Sequence, residues 1–316
     1  MLSRQASALF WIGRYQERTE YLARFLQVKY FSTMDSSNTD YKDFALRSIL
    51  FLSTGNPSSE KLIEGNVLWE VCLNKDSETS LITYVSNIRE NTKGIRNLVS
   101  KEIWEIINKN YHFVNNYSVN HLKTRGLYEF THELQENASS FQAKLDSTLL
   151  HDDVWSFIKL GIYTERAYQI TRILINTLID ITALKGKNEN HVIENNQWVL
   201  TLNVLEALDM SRKIFNSNVY QDNTCEFLIT HLDFPRSIAC SLENCNKLIK
   251  KIKHGTETHQ LDRDSLIYKT AKLSASVKYL DYKELDMDLI DYLNKILIDI
   301  TKLNDSIHDG FFQSNQ

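Results

Sequence analysis

Proline and glycine are scarce in this sequence: there are only two prolines, Pro57 and Pro235, and nine glycines in 316 residues. A β-sandwich or barrel needs a turn about every 8–12 residues, and Gly and Pro are the strongest punctuators of the chain, so a helical protein is expected and not an all-β one. Long apolar runs are missing too. None approaches the roughly 18 residues that a membrane-crossing helix requires. The apolar patch Ala8–Ile12 ends at Gly13-Arg14, too short for a signal peptide and without a small-residue cleavage site, so a cytoplasmic protein with no membrane contact is expected. The four cysteines (Cys72, Cys225, Cys240, Cys245) include no C-x-x-C pair, which leaves them as small buried apolar residues. An excess of one charge is also lacking: 36 Lys+Arg stand against 40 Asp+Glu, a net charge of −4. A nucleic-acid binder usually shows a clear basic excess, so none is expected here.

Catalytic signatures are absent as well. There is no H-E-x-x-H, no G-x-S-x-G and no glycine loop to cradle phosphates. Glu129-x-x-His132 has the spacing of a di-iron carboxylate ligand pair, but such a site needs two such motifs and two further glutamates. Asp305-x-x-His308 is a poor substitute, and His254 and His259 do not share a helix face. No metal, no cofactor and no catalytic residue is assigned.

What is present is helical periodicity. With 42% apolar residues, the chain can bury the core of one large domain or two. The spacing predicts helices over about 4–30, 80–98, 101–116, 122–150, 153–184, 195–215, 235–253, 264–282 and 286–307. Asp153 stands where an N-cap belongs, and Pro235 suits a first helical turn. Loops are expected at Ser32–Asp40, Ser53–Ser59, Lys185–Asn190 and Gly255–His259.

The most informative feature is an internal repeat. Gly13, Tyr15, Glu17, Arg18 and Arg24 line up without a gap on Gly161, Tyr163, Glu165, Arg166 and Arg172, at a constant separation of 148 residues. A weaker echo joins Ser80-Leu81 to Ser237-Ile238. An all-α, internally duplicated helical bundle follows, with related halves at 1–150 and 151–316 packed together.

On a helical wheel, Trp11, Ile12, Tyr15, Leu22, Phe25 and Leu26 share one broad face, and Arg18 falls inside it. Glu17 and Arg24 lie at its border, while Gln16, Glu20 and Gln27 point to water. In the second copy Arg166 lies within the face, with Glu165 and Arg172 at the border. A buried arginine cannot shed its proton and needs a carboxylate or an anionic ligand. One reading is structural, each arginine pairing with a carboxylate of the fold. The other is functional, the two arginines converging on a pocket that holds a carboxylate or phosphate. Arg236 sits in a predicted first turn, where a cation opposes the helix dipole, and joins the candidate polar site with Ser237. Lys247, Lys250, Lys251 and Lys253 complement the dipole at the end of the same helix, or else form a docking patch for an acidic partner.

These residues also carry a family resemblance. Met1-Leu-Ser-Arg4, Trp11-Ile-Gly-Arg-Tyr15 and Glu17-Arg18 resemble the start of the bacterial alpha-E family, helical domains named for a Glu-Arg motif. The likeness continues through Arg89-Glu-Asn91, Arg96, Ser100-x-Glu102-x-Trp104 and Asn108. It then runs through Gly161-x-Tyr163-x-Glu165-Arg166-Ala167, Thr171-Arg172, Trp198, Phe234-Pro-Arg-Ser-Ile238 and Phe311-Phe312. Thr92 and Lys93 depart from the family's common Ala-Arg. The resemblance implies company with ATP-grasp-type amide ligases and transglutaminase-like peptidases. The expected function is therefore a non-catalytic helical partner protein of a peptide-modifying system. The alternative is an enzyme or small-molecule binder with an anion site between the repeats. The candidate polar site comprises Arg14, Glu17, Arg18, Arg24, Glu165, Arg166, Arg172, Arg236 and Ser237, with Arg89, Asn91 and Arg96 secondary; the sequence assigns no oligomeric state.

Overall fold

Helix-compatible runs with few breakers give a chain whose regular structure is entirely helical among the described residues. A computed structural model describes residues 1–34, 39–55, 62–123, 125–185, 191–216, 219–252 and 265–313. The α-helices in chain order are α1 (Ser3–Phe31), α2 (Thr39–Thr54), α3 (Glu64–Cys72), α4 (Leu81–Gly94), α5 (Lys101–Asn115), α6 (Arg125–Thr148) and α7 (Asp153–Lys185). They continue as α8 (His191–Val204), α9 (Leu208–Phe215), α10 (Gln221–Thr230), α11 (Ile238–Ile252), α12 (Leu266–Lys278) and α13 (Leu289–Phe311).

Contacts sort the chain into two units, Arg14–Trp155 and Met1–Gly13 with Ser156–Gln316. In the first, α4, α5 and α6 pack in sequence order, and α3 bridges α2 and α4. Its interior is closed by Tyr21, Phe25, Ile49, Leu68, Phe130 and Phe141, all fully buried. In the second, α10 contacts α8, α9, α11 and α12, and α12 packs between α11 and α13. Trp198, Phe227, Leu242 and Leu293 fill that interior. Phe10 meets Phe312 at 5.5 Å and Phe157 meets Phe311 at 5.2 Å, so the half-buried pair Phe311-Phe312 covers two buried rings of this unit.

The long helices match their sequence signals, and the differences have local causes. Helices α2, α3 and α10 have no counterpart in the periodicity reading; α3 and α10, at 9 and 10 residues, offer few turns over which a pattern can repeat. The single helix expected over 195–215 is two, because Glu206 adopts a left-handed conformation (φ 50°) between α8 and α9. Asp153 is already inside α7: the capping oxygen belongs to Asp152, whose Oδ1 accepts from the Val154 amide at 2.9 Å. Most of the predicted loops, together with Pro57, Lys253, His254, His259 and Asp264, lie outside the described residues.

Gly13 marks a place where two backbones touch. A Cβ built there would lie 2.1 Å from the Ile158 carbonyl oxygen and 2.9 Å from the Ile162 nitrogen, both backbone atoms of α7.

The cysteines are free thiols. Burial pushes the thiol pKa of Cys72 and Cys225 far up and that of Cys245 to about 12; half-buried Cys240 is also raised by burial. Only the thiolate is reactive. Iodoacetamide at pH 8 is therefore expected to label Cys240 ahead of the other three in the native protein. All four should label in urea, and peptide mapping of the alkylated sites checks both outcomes.

Candidate polar site

The polar residues of α1 do not keep to one wet side. Gln16 and Glu20, placed toward water by the wheel, are 4% and 1% exposed, and Glu17 is fully buried. The wheel assumes one solvated face; this helix is covered on its flanks as well, so the periodicity does not separate wet from dry.

Glu20 is answered from two sides. Its Oε1 lies 2.8 Å from Arg24 Nη2, and its Oε2 accepts from Gln142 Nε2 at 3.1 Å. Arg24 Nε also donates to Gln135 Oε1 at 3.4 Å, and Gln135 Nε2 donates to Gln27 Oε1 at 2.6 Å. Gln135 and Gln142 are seven residues apart on α6, so one line of that helix faces the pair. The sequence reading misses both glutamines. Their one signal is that spacing, which a solvent-facing glutamine pair would share.

Arg18, expected inside the apolar stripe, is half-buried and flanked by rings: its Cζ lies 5.7 Å from the Tyr15 ring centre and 5.8 Å from that of Tyr84. A guanidinium over aromatic faces gains a cation–π attraction, and Arg18 has a further partner within the protein. Arg14, 6% exposed, and Glu17 are each engaged in a further interaction within the protein.

On α7, Glu165 is fully buried and its Oε1 accepts from Gln169 Nε2 at 2.6 Å. Arg166, 6% exposed, lies within the covered face as expected. It donates through Nη1 to the Pro235 carbonyl at 3.3 Å, and its Cζ is 5.5 Å from the Tyr163 ring centre. Arg172 is half-buried, 5.8 Å over Tyr168. Arg236 requires a correction: α11 starts at Ile238, so Arg236 lies ahead of the helix and not in its first turn. Its anionic partner is Glu206, the left-handed residue between α8 and α9, at 2.9 Å from Nη2.

Ser237 is the cap of α11, and Ser80 does the same work for α4. Ser237 Oγ accepts from the Cys240 amide at 3.0 Å and donates to the His231 carbonyl at 2.6 Å. Ser80 Oγ accepts from the Thr83 amide at 3.3 Å and donates to the Asn74 carbonyl at 2.6 Å. Each hydroxyl thus ties a helix start to the backbone six residues upstream. Ser80→Ala and Ser237→Ala are each expected to cost about 1–2 kcal/mol, read from urea unfolding, because a cap and a buried carbonyl lose their partner together.

The secondary residues lie on α4 and just after it. Arg89 donates through Nε to Asn108 Oδ1 at 2.9 Å and covers the Tyr111 ring at 4.3 Å. Asn91 donates to the Asn87 carbonyl of its own helix at 2.9 Å. Arg96 donates to the Val99 carbonyl at 3.1 Å and covers Trp104 at 5.4 Å. Glu129 lies 2.8 Å from Arg125, and His132 stacks on Tyr128. Among the described residues no group of three or more His, Cys, Asp or Glu could hold a metal ion, and no helix is long and apolar enough to cross a membrane. Buried Lys29, Lys159 and Asp180 are charges that the sequence reading misses; all three have partners in the protein.

A family model described as a predicted alpha-helical domain with a conserved ER motif, Alpha-E, matches residues 1–312. The chain belongs to the Alpha-E family. Glu17-Arg18 and Glu165-Arg166 are the two Glu-Arg pairs of this Alpha-E chain. No curated protein and no solved structure matches it.

Proposed function

We propose that this Alpha-E chain is a helical partner protein that contributes no catalytic step of its own and works beside an ATP-grasp-type amide ligase or a transglutaminase-like peptidase. One observation carries the reading: the charged groups of the candidate site have partners supplied by the chain itself. Glu20 is held by Arg24 and Gln142, Glu165 by Gln169, and Arg236 by Glu206. Charges committed in this way serve packing, and leave surface recognition as the means of acting on others. The choice of partner rests on the company that alpha-E proteins keep. Co-elution with such a ligase at micromolar concentration is the result expected; a clean lack of association with either class of enzyme overturns the reading.

The halves are read as copies of one helical unit. Supporting this, Arg18 lies over Tyr15 as Arg166 lies over Tyr163, and Ser80 and Ser237 make the same double hydrogen bond. The arginines also separate packing from ligand binding. Arg18→Ala and Arg166→Ala are each expected to lower stability by about 1–2 kcal/mol, the scale of a partly desolvated cation–π contact. An arginine kept for a ligand would leave the unfolding midpoint of the ligand-free protein unchanged. Urea unfolding of both variants decides between the two.

A further inference from the structure

Helices α12 and α13 leave between them a groove of about 790 Å³. Its floor is apolar, formed by Leu273 of α12 with Ile296 and Leu303 of α13. Its sides carry Lys269 and Lys272 from α12 and Lys295 and Lys302 from α13, all exposed, against two acids, Asp299 and Asp305. In a chain of net charge −4 this is a local reversal of sign. Lys302 lies 3.7 Å from Asp299, an exposed pair worth little in water, and Lys269, Lys272 and Lys295 have no ion-pair partner among the described residues. Tyr292, also in the lining, has its phenol pushed up to about 12 by burial and so keeps its hydroxyl proton.

The spacing identifies the occupant. Lys295 and Lys302 are seven residues apart, as are Ile296 and Leu303. Seven residues are two helical turns, a rise of about 10 Å, so the cations follow the groove in rows on either side of an apolar strip. A small anion needs donors that converge on one point, and these do not. A helix with apolar residues along one line and carboxylates flanking it meets floor and rows together, and it would complete a three-helix arrangement with α12 and α13.

We propose that the α12–α13 groove is a docking site for an amphipathic, acid-flanked helix of a partner protein. This deepens the partner-protein reading and rests on it. The test uses the full chain and a fluorescein-labelled helical peptide of three heptads, with leucine on one line and glutamate on both flanks. Fluorescence anisotropy at low salt is expected to show binding that weakens as salt rises. Replacing the flanking glutamates by glutamine, or changing the protein to Lys272→Glu/Lys295→Glu, should weaken it at least tenfold. Lys101→Glu/Lys144→Glu, which alters net charge equally in the other unit, should leave it unchanged. These lysines are exposed, and circular dichroism confirms that each variant folds. Equal binding of the glutamine peptide, equal binding by the groove variant, or no binding at all overturns the proposal. Displacement of the peptide by equimolar inorganic tripolyphosphate also overturns it, by assigning the groove to small anions. A groove variant that retains a ligase as the unaltered chain does removes the docking site and leaves the partner reading standing. A peptide that binds through the groove while no ligase is retained supports the docking site and removes the ligase.

Discussion

Gly13→Ala is expected to lower stability by about 3 kcal/mol or more, the upper range of forced overpacking. For units of this size that is a fall of roughly 6–12 °C in the unfolding midpoint. The sign is the telling part. Gly13 lies inside α1, where alanine would ordinarily be favoured over glycine by about 1 kcal/mol. Here the added methyl would stand 2.1 Å from a carbonyl oxygen of α7, and no side-chain rotation relieves a clash between backbones. Gly65 is the control, since it too is helical but an added methyl there would meet nothing within 4 Å. Gly65→Ala should leave the midpoint unchanged or raise it. Differential scanning of the two variants side by side reads both effects.

Arg24→Ala is the second large effect, a loss of about 3–5 kcal/mol in urea unfolding, the scale of removing one partner from a buried ion pair. The side chains of Arg24 and Glu20 are 5% and 2% exposed, so the carboxylate left behind cannot turn to water. It would keep the amide of Gln142 but lose the Arg24 guanidinium. Replacing both members, as in Glu20→Gln/Arg24→Met, should recover much of the loss, because two neutral groups of similar size remove the stranded charge. If the double variant is no more stable than Arg24→Ala, the pair is not what holds this part of α1.

The contrast between legible and illegible features follows from how each is encoded. Helices α1, α5, α7 and α13 announce themselves because apolar residues recur over many turns and few breakers intervene. The α8–α9 break does not, since Leu205-Glu206-Ala207 contains neither glycine nor proline, and the left-handed Glu206 sits beside its Arg236 ion pair. At the candidate site, the sequence marks Glu17, Arg18, Glu165 and Arg166 as unusual and assigns Arg166 correctly to a covered face. It misplaces Glu20 and Gln16 because a wheel reports which residues differ from their neighbours, while burial depends on how many helices surround the cylinder. Gln135 and Gln142 answer charges more than a hundred residues away in sequence, and no local pattern encodes such a pairing.

Gly13 and Phe10 have a consequence for how the protein is made. They belong with a unit whose other residues begin at Ser156, and Phe10 packs on Phe312, beyond the whole intervening unit in sequence. On the ribosome, Leu9, Phe10 and Ile12 emerge ahead of the whole Arg14–Trp155 segment and wait for the surfaces of their own unit that cover them. The intervening Arg14–Trp155 segment has its own interior and can close first. Completion of the other unit then depends on closing one very long loop, a slow entropic step during which that apolar turn is a natural target for a chaperone.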